Sequence, residues 1–103
     1  MATIITVNEE EIVFSDGSII DYFHHQNCCE INYADFEQLD DIARNTDFDT
    51  DNMIFQEADY GFMFGNENGK MFFIPCYSEQ NGCYSHDVDI YYNNKLVLTA
   101  YGE

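Results

Sequence analysis

The sequence predicts an α+β domain, in which a mostly antiparallel sheet of about seven short strands, built from hairpins, carries one helix near residues 34–44. Three observations support this fold class. Short β-rich segments alternate with turn residues along most of the chain. Two of the turns, at Asp16-Gly17 and Asn93-Asn94, have the residues of tight hairpins. Only one stretch repeats its apolar residues at helical spacing.

The first third of the chain contains four predicted strands. Residues 3–7 are rich in β-branched side chains, and the polar residues after them can turn the chain back. Residues 11–14 and 18–23 flank the Asp-Gly pair, which is a two-residue hairpin signal. Residues 27–32 form a further short extended segment.

The predicted helix covers residues 34–44. Its apolar residues at helical spacing are Phe36, Leu39, Ile42 and Ala43. Asp35 in the first turn and Arg44 in the last would complement the helix dipole. The other side of this helix is acidic, so we expect that side to face solvent.

The second half of the chain also alternates between strands and turns. The predicted strands are residues 53–56, 60–64, 70–77, 88–92 and 95–101. Residues 45–52 and 78–82 are predicted loops, and residues 66–69 close a hairpin. Pro75 has no N–H to donate to a neighbouring strand, which favours an edge strand or a bulge at that position. We expect residues 1–103 to form a single acidic domain.

The charge balance is extreme for a chain of this size. Twenty Asp and Glu face three basic residues, and the net charge is −17. The basic residues are Arg44, Lys70 and Lys95. Disordered acidic segments are poor in aromatics, whereas this chain is 17% aromatic, so we expect a folded domain. A basic partner is favoured, and direct nucleic-acid binding is excluded because no basic patch could neutralise phosphates.

The sequence gives two indications of cellular location. No apolar run approaches the roughly 20 residues of a membrane span. The N-terminal residues lack the basic flank and apolar run of a signal peptide. We therefore expect a cytoplasmic protein without a membrane partner, located in the host cytoplasm if a phage encodes it, with reduced thiols.

Histidine and cysteine residues form two groups that could bind zinc. They are His24, His25, Cys28 and Cys29 in the first group, and Cys76, Cys83 and His86 in the second. A four-ligand zinc site would use His24, Cys28, Cys83 and His86. Against this, adjacent cysteines on a strand point to opposite faces, and the chain has no C-x-x-C pair. The favoured interpretation is inert thiols and no cofactor, with zinc as the alternative.

Two further kinds of chemistry are disfavoured. A cysteine nucleophile paired with a histidine needs an electropositive setting, and a charge of −17 supplies the reverse, so we expect no enzyme activity. The run Asp47, Asp49, Asp51 resembles the start of an EF-hand loop. However, Asn52 stands in place of the required glycine and Ala58 in place of the bidentate glutamate. This run is better interpreted as a solvated acidic loop.

Acidic residues are concentrated between positions 35 and 59. This acidic belt consists of Asp35, Glu37, Asp40, Asp41, Asp47, Asp49, Asp51, Glu57 and Asp59. Residues 9–11 are a further acidic candidate. A compact body with closely spaced carboxylates can occupy a groove built for phosphates, because DNA carries one negative charge per roughly 1.7 Å of duplex axis. The belt is therefore the predicted partner-binding site.

Two segments resemble a known family. Residues 24–30 read H-x-Q-x-C-C-E, and residues 77–85 contain Y-x-E-x-N-G-x-Y-S followed by an apolar strand. Both are similar to signature segments of an uncharacterised family of small phage and bacterial domains, in which the second reads Y-x-E-S-N-G-Y-Y-S. The resemblance implies a phage or mobile-element setting, no assigned catalytic activity, and a structural strand at the Cys-Cys segment.

Acidity and setting together lead to one functional hypothesis. The chain is expected to be a non-catalytic phage-type inhibitor of a host defence enzyme, either an anti-CRISPR or an anti-restriction protein, acting as an acidic DNA mimic. Its partner would be a basic nucleic-acid-binding protein such as a Cas nuclease or a restriction enzyme. The alternative hypothesis is a small structural or zinc-binding domain that uses the histidine and cysteine groups.

Overall fold

The computed structural model describes residues 1–23, 30–67, 69–80 and 87–102, and in these residues nine strands form two antiparallel sheets. The strands are β1 (Ile4–Val7), β2 (Glu11–Phe14), β3 (Ile19–Phe23), β4 (Glu30–Ala34), β5 (Met53–Ala58), β6 (Gly61–Asn66), β7 (Phe72–Gln80), β8 (Asp87–Tyr92) and β9 (Lys95–Tyr101). Three short 3₁₀ turns connect β4 to β5, at Phe36–Gln38, Asp41–Asn45 and Thr50–Asn52. No helix in the described part of the chain is long and apolar enough to cross a membrane.

The two sheets are nested along the chain. One sheet has five strands in the order β1-β2-β3-β8-β9, and the other has four in the order β4-β7-β6-β5. The chain therefore leaves the first sheet after β3, builds the whole second sheet, and returns at β8. The antiparallel pairing of β3 with β8 matches Ile20 with Tyr92 and closes this excursion.

Alternating side chains on the strands form the core. On β7, Phe72, Ile74 and Cys76 are buried, because successive side chains on a strand point to opposite faces. Ile12 and Phe14 of β2 are buried in the same way. The buried residues of both sheets belong to one hydrophobic cluster, so the inner faces of the sheets share a core.

Two phenylalanines from the connection between β4 and β5 complete this core. The ring of Phe48 lies 5.5 Å from that of Phe14 in β2 and 5.8 Å from that of Phe64 in β6. Phe36, in the first 3₁₀ turn, makes the same kind of contact between β3 and β6. Both phenylalanines are fully buried, so the irregular connection is fixed to the two sheets by its apolar residues.

The predicted helix over residues 34–44 is wrong, and the fold is mostly β rather than α+β. Leu39 and Asp40 have extended backbone, with ψ of 136° and 133°, and they separate the first two 3₁₀ turns. The Asp40 carboxylate accepts a hydrogen bond from the backbone N–H of Ile42 and so begins the second turn. Aspartate competes for backbone donors in this way, which lowers its helix propensity. Ala34, at the predicted helix start, is instead paired in β4.

The hairpin predictions at Asp16-Gly17 and Asn93-Asn94 have different outcomes. Asn93 and Asn94 have φ of 50° and 68° between the paired residues Tyr92 and Lys95, which confirms the predicted type I′ turn. The β2–β3 hairpin is also present, but its loop has three residues. There Gly17 has φ of 92° and its N–H donates to the carbonyl of Phe14. A three-residue loop needs positive φ only at its last position, which glycine supplies.

The prediction of an edge strand or bulge at Pro75 is wrong. β7 is an interior strand, between β4 and β6. The Pro75 carbonyl accepts a hydrogen bond from the N–H of Asp35, the residue that follows the last residue of β4. Since the N and O atoms of one strand residue point to the same side, the N–H that Pro75 lacks would face Asp35, just beyond the end of β4. Proline therefore costs only the reciprocal bond of this terminal pair, and it is accommodated there.

The remaining strand predictions agree in position, and β2 and β9 have the predicted bounds. β7 runs from Phe72 to Gln80, so the prediction of a loop at residues 78–80 is wrong. β5 continues to Ala58, two residues beyond the predicted end, and β6 begins at Gly61 and reaches Asn66. β4 begins at Glu30, within the predicted segment 27–32, whose first three residues lie outside the described part of the chain.

Candidate functional site

The acidic loop between the second 3₁₀ turn and β5 is held by a buried residue. The N–H of Phe48 donates to the carbonyl of Ala2 at 2.7 Å, and the N–H of Ala2 donates to the carbonyl of Phe48 at 2.9 Å. The Phe48 side chain lies in the core. Its neighbours Asp47, which is exposed, and Asp49, which is half-buried, are therefore carried on a fixed backbone.

The side chain of Asn66, at the end of β6, clamps the same loop. Its Oδ1 accepts a hydrogen bond from the N–H of Asp49 at 2.8 Å. Its Nδ2 donates to the carbonyls of Asp49 at 2.9 Å and Asn52 at 3.0 Å. One side-chain amide thus makes three hydrogen bonds to a loop that has no strand partner. Because these bonds order the loop backbone in the free protein, less of its conformational entropy would be lost when a partner binds.

These constraints place several carboxylates around one groove. Asp47, Asp49 and Asp51 line it together with Glu67, and its volume is about 740 Å³. We call these four residues the loop cluster. Glu67 was missed in the sequence because it lies outside the run from 35 to 59. The register of β5 and β6 would have located Glu67: Met53 pairs with Asn66, so the next residue, Glu67, lies alongside the acidic loop.

Two belt aspartates also organise the backbone. Asp49 accepts a hydrogen bond from the N–H of Asp51 and so caps the third 3₁₀ turn, as Asp40 caps the second. The hydrogen bond from Ile42, with a smaller effect from nearby Lys70, holds the pKa of Asp40 below its ordinary value. Both aspartates therefore have a structural role, and their substitution would change the loop as well as its charge.

Other belt residues lie at the far end of β5. Glu57 belongs to the end of this strand, and Asp59 belongs to the turn that follows it. The six residues of β5 separate this end from the loop cluster by about 17 Å, at the usual rise of a strand. Asp35 approaches the same end, because its Oδ2 accepts a hydrogen bond from Gln38 Nε2, and Gln38 lines a pocket with Asp59. We call Asp35, Glu57 and Asp59 the turn cluster.

The belt as a whole is open to solvent and has few cationic partners. Seven of its nine members are exposed, and Asp35 and Asp49 are half-buried. Within the described ranges it makes one ion pair, between Lys70 Nζ and Asp40 Oδ2 at 3.5 Å. Both side chains of this pair are about half exposed, so it offsets little of the charge. The structure thus divides the predicted site into two clusters, and the exposed Glu37, Asp40 and Asp41 belong to neither.

The alternative zinc site falls outside the described residues. His24, Cys28, Cys83 and His86 all lie in the segments 24–29 and 81–86. Cys76, from the second histidine and cysteine group, is described and is fully buried on β7. Burial raises the pKa of its thiol to about 12, which disfavours the reactive thiolate form.

The acidic loop does not have the arrangement of a calcium loop. One Asp49 oxygen caps a turn, and the other accepts a hydrogen bond from the Asn52 side chain at 2.8 Å. Among the described side chains, no group of three or more His, Cys, Asp or Glu is arranged to hold a metal ion. Asp47 and Asp51 are exposed in this loop, and Asp49 is half-buried.

Comparison of the chain with protein-family models, with curated proteins and with solved structures gave no match. The resemblance of residues 24–30 and 77–85 to a phage and bacterial family therefore stays a prediction.

Proposed function

We propose that this protein is a non-catalytic inhibitor that occupies the nucleic-acid groove of a basic host enzyme, with its carboxylates in place of phosphates. The enzyme class is a defence nuclease, either a Cas nuclease or a restriction enzyme. The inhibitor would accordingly be an anti-CRISPR or anti-restriction protein of phage origin, a setting that rests on the sequence resemblance. The observation that carries the proposal is a hydrogen-bonded loop that presents exposed carboxylates on a body with a charge of −17.

The density of charge supports this proposal. The molecule is elongated, with extents of 43 × 23 × 22 Å. Dividing 43 Å by 17 net charges gives about one charge per 2.5 Å, against one per roughly 1.7 Å of DNA duplex. A cleft lined by Lys and Arg would attract such a body over long range and would accelerate association.

The rigidity of the loop cluster supports it further. Carboxylates on a mobile tail would lose conformational freedom on binding, whereas Asp47 and Asp51 are already positioned by the buried Phe48 and by Asn66. Preorganised charges bind more tightly than the same charges on a flexible chain, because the ordering cost has been met during folding.

A matched pair of double variants tests the proposal. Asp47→Asn with Asp51→Asn removes two exposed carboxylates of the loop cluster that make no cap through their side chains. For comparison, Glu9→Gln with Glu10→Gln removes the same charge from the further acidic candidate in the exposed β1–β2 turn, outside the belt. We expect the first variant to weaken inhibition of a susceptible nuclease about tenfold, as for the loss of two ion pairs of about 0.7 kcal/mol each. The second should weaken it less.

The measurement is competition with DNA for a panel of purified Cas nucleases and restriction enzymes. Inhibition should be competitive with DNA and should fade as salt rises from 50 to 500 mM, because exposed charges are screened. The proposal fails if the wild-type protein displaces DNA from no enzyme in the panel. It also fails if the loop-cluster variant inhibits as well as the wild type.

A further inference from the structure

A pocket with aromatic walls lies at the end of the molecule that carries the turn cluster. Its volume is about 370 Å³, within the usual range for small-ligand sites. It is lined by Gln38, Asp59, Tyr60, Phe73, Pro75 and Tyr77. Phe73, Pro75 and Tyr77 alternate along β7 and therefore share its outer face, opposite the buried residues 72, 74 and 76. Its residues come from separate segments of the chain, so no local sequence pattern indicates this pocket.

A glycine allows the rings to approach the sheet closely. Gly61 pairs with Pro75 across β6 and β7, and a Cβ at Gly61 would overlap the Ile74 carbonyl and approach the Phe73 ring to 2.8 Å. The ring of Phe73 thus lies against the backbone of β6 and forms a flat wall. It remains 41% exposed, so an aromatic face is available to a ligand.

Tyr60 forms another wall and has an unusual backbone. Its φ is 59°, a left-handed conformation that few tyrosines adopt, and its side chain is 58% exposed. Its carbonyl accepts a hydrogen bond from the N–H of Cys76 at 2.8 Å, which ties the turn to β7. The turn therefore holds an exposed phenol ring at the mouth of the pocket.

The polar lining of the pocket is acidic and ordered. Gln38 Nε2 donates to Asp35 Oδ2 at 2.7 Å and to the Tyr77 hydroxyl at 3.1 Å, which fixes the amide beside the rings. The Asp59 carboxylate is exposed at the rim. Glu57 lines a second depression that also includes Asp59 and Tyr60. Among the described residues, the lining thus combines flat π faces with the Asp59 carboxylate and includes no basic side chain.

We infer that this pocket binds an arginine side chain of the basic partner, an inference that rests on the proposed function. The planar guanidinium stacks on aromatic faces and forms two parallel hydrogen bonds with a carboxylate, and this lining offers both. The compact, strongly hydrated ammonium of lysine fits it less well. Aromatic pockets that take arginine often contribute most of the energy of a protein interface. The pocket would then supply specificity, while the acidic belt supplies long-range attraction.

The test compares octa-arginine and octa-lysine peptides in titration calorimetry at 100 mM salt. Both peptides carry the same charge, so total charge cannot distinguish them. We expect the wild-type protein to bind octa-arginine about fivefold more tightly. Asp59→Asn and Phe73→Leu should each reduce this preference to about one. The matched controls Asp47→Asn and Phe23→Leu change an exposed carboxylate and an exposed aromatic elsewhere, and should keep it.

Each outcome of the peptide-binding test either supports or overturns the inference. Equal binding of the two peptides by the wild type overturns it without the need for any variant, and so does the absence of measurable binding of both. A preference that survives both pocket variants also overturns it. The DNA-competition assay with the loop-cluster variant uses no peptide and leaves the pocket intact, so the proposed function stands or fails separately.

Discussion

Tyr60 is a residue whose backbone conformation is unfavourable for folding. At φ of 59° its Cβ crowds the neighbouring backbone, and a bulky residue held there costs about 1–2 kcal/mol. Asparagine and glycine adopt this conformation readily. A strained residue whose ring is exposed at a pocket is typical of a site where function is retained at a cost in stability.

Tyr60→Asn should therefore stabilise the protein. We expect the free energy of unfolding to rise by about 1 kcal/mol, and the melting temperature by about 5 °C for a chain of this size. Thermal unfolding followed by circular dichroism measures this. The same variant should lose the preference for octa-arginine, because a wall of the pocket is removed.

The control for this change is Tyr101→Asn. Tyr101 is similarly exposed, at 52%, but its φ is not positive. It should give no gain in stability, since asparagine is disfavoured in a strand. A melting temperature of Tyr60→Asn at or below that of the wild type would show that the turn is not strained.

Among the structural elements, the β2–β3 hairpin contains a pair of like charges. Glu11 and Asp21 are directly opposite each other, and both are half-buried. Burial, with a smaller effect from Glu11, raises the pKa of Asp21. Like charges in this position destabilise a sheet. The hairpin forms because Ile12 and Ile20, on its other face, are fully buried in the core.

Glu11→Lys should convert this repulsion into a cross-strand ion pair. We expect the free energy of unfolding to rise by about 0.5–1 kcal/mol, measured by urea denaturation. Glu10→Lys makes the same change of charge in the adjacent turn and should give a smaller gain. Equal gains for the two variants would mean that net charge, and not the pair, determines the effect.

The elements that could be predicted from sequence are those with local causes. The Asn93-Asn94 turn depends on the tolerance of asparagine for positive φ, and it was predicted correctly. The helix over 34–44 failed because its apolar spacing is also satisfied by two 3₁₀ turns, which bury Phe36, Leu39 and Ala43 and leave Ile42 exposed. Tertiary contacts decided between these two conformations.

The candidate site could also be predicted only in part, because only some of its features have local causes. The nine belt carboxylates could be located by composition, because most acidic residues are exposed. Their division into two clusters depends on β5 and on the register that brings Glu67 beside the acidic loop. The aromatic pocket at the turn cluster depends on Gly61 opposite Pro75, a pairing between segments that no local pattern specifies.

For the whole molecule, the charge of −17 makes stability depend on pH in two opposing ways. As the pH falls from 7 towards 5, carboxylates begin to protonate and mutual repulsion declines. Asp21 contributes to this, because its raised pKa means that the fold disfavours its charged form, and protonation removes that penalty.

Asp16 and Asp40 affect the pH dependence of stability in the opposite direction. Hydrogen bonds lower their pKa values, so their stabilisation is lost only as the pH falls below their ordinary value of 3.8.

We therefore expect the melting temperature to rise from pH 7 to pH 5, and the loss of the Asp16 and Asp40 hydrogen bonds to oppose any further rise below pH 3.8. The rise should be smaller in 0.5 M salt, because screening already reduces the repulsion. Differential scanning calorimetry at both salt concentrations measures this. A melting temperature that falls from pH 7 to pH 5 at low salt would mean that the carboxylates are stabilised by paired cations.

The nesting of one sheet inside the other has a consequence for synthesis on the ribosome. β3 obtains its second neighbour only when β8 has emerged, since Ile20 pairs with Tyr92. At 5–20 residues per second this interval is roughly 4–14 s. During it the hairpins β1–β2 and β2–β3 can form, while the open edge of β3 offers unpaired N–H and C=O groups to neighbouring nascent chains. The acidic residues of the β1–β2 turn are made early, so repulsion between these chains can protect the edge until β8 arrives.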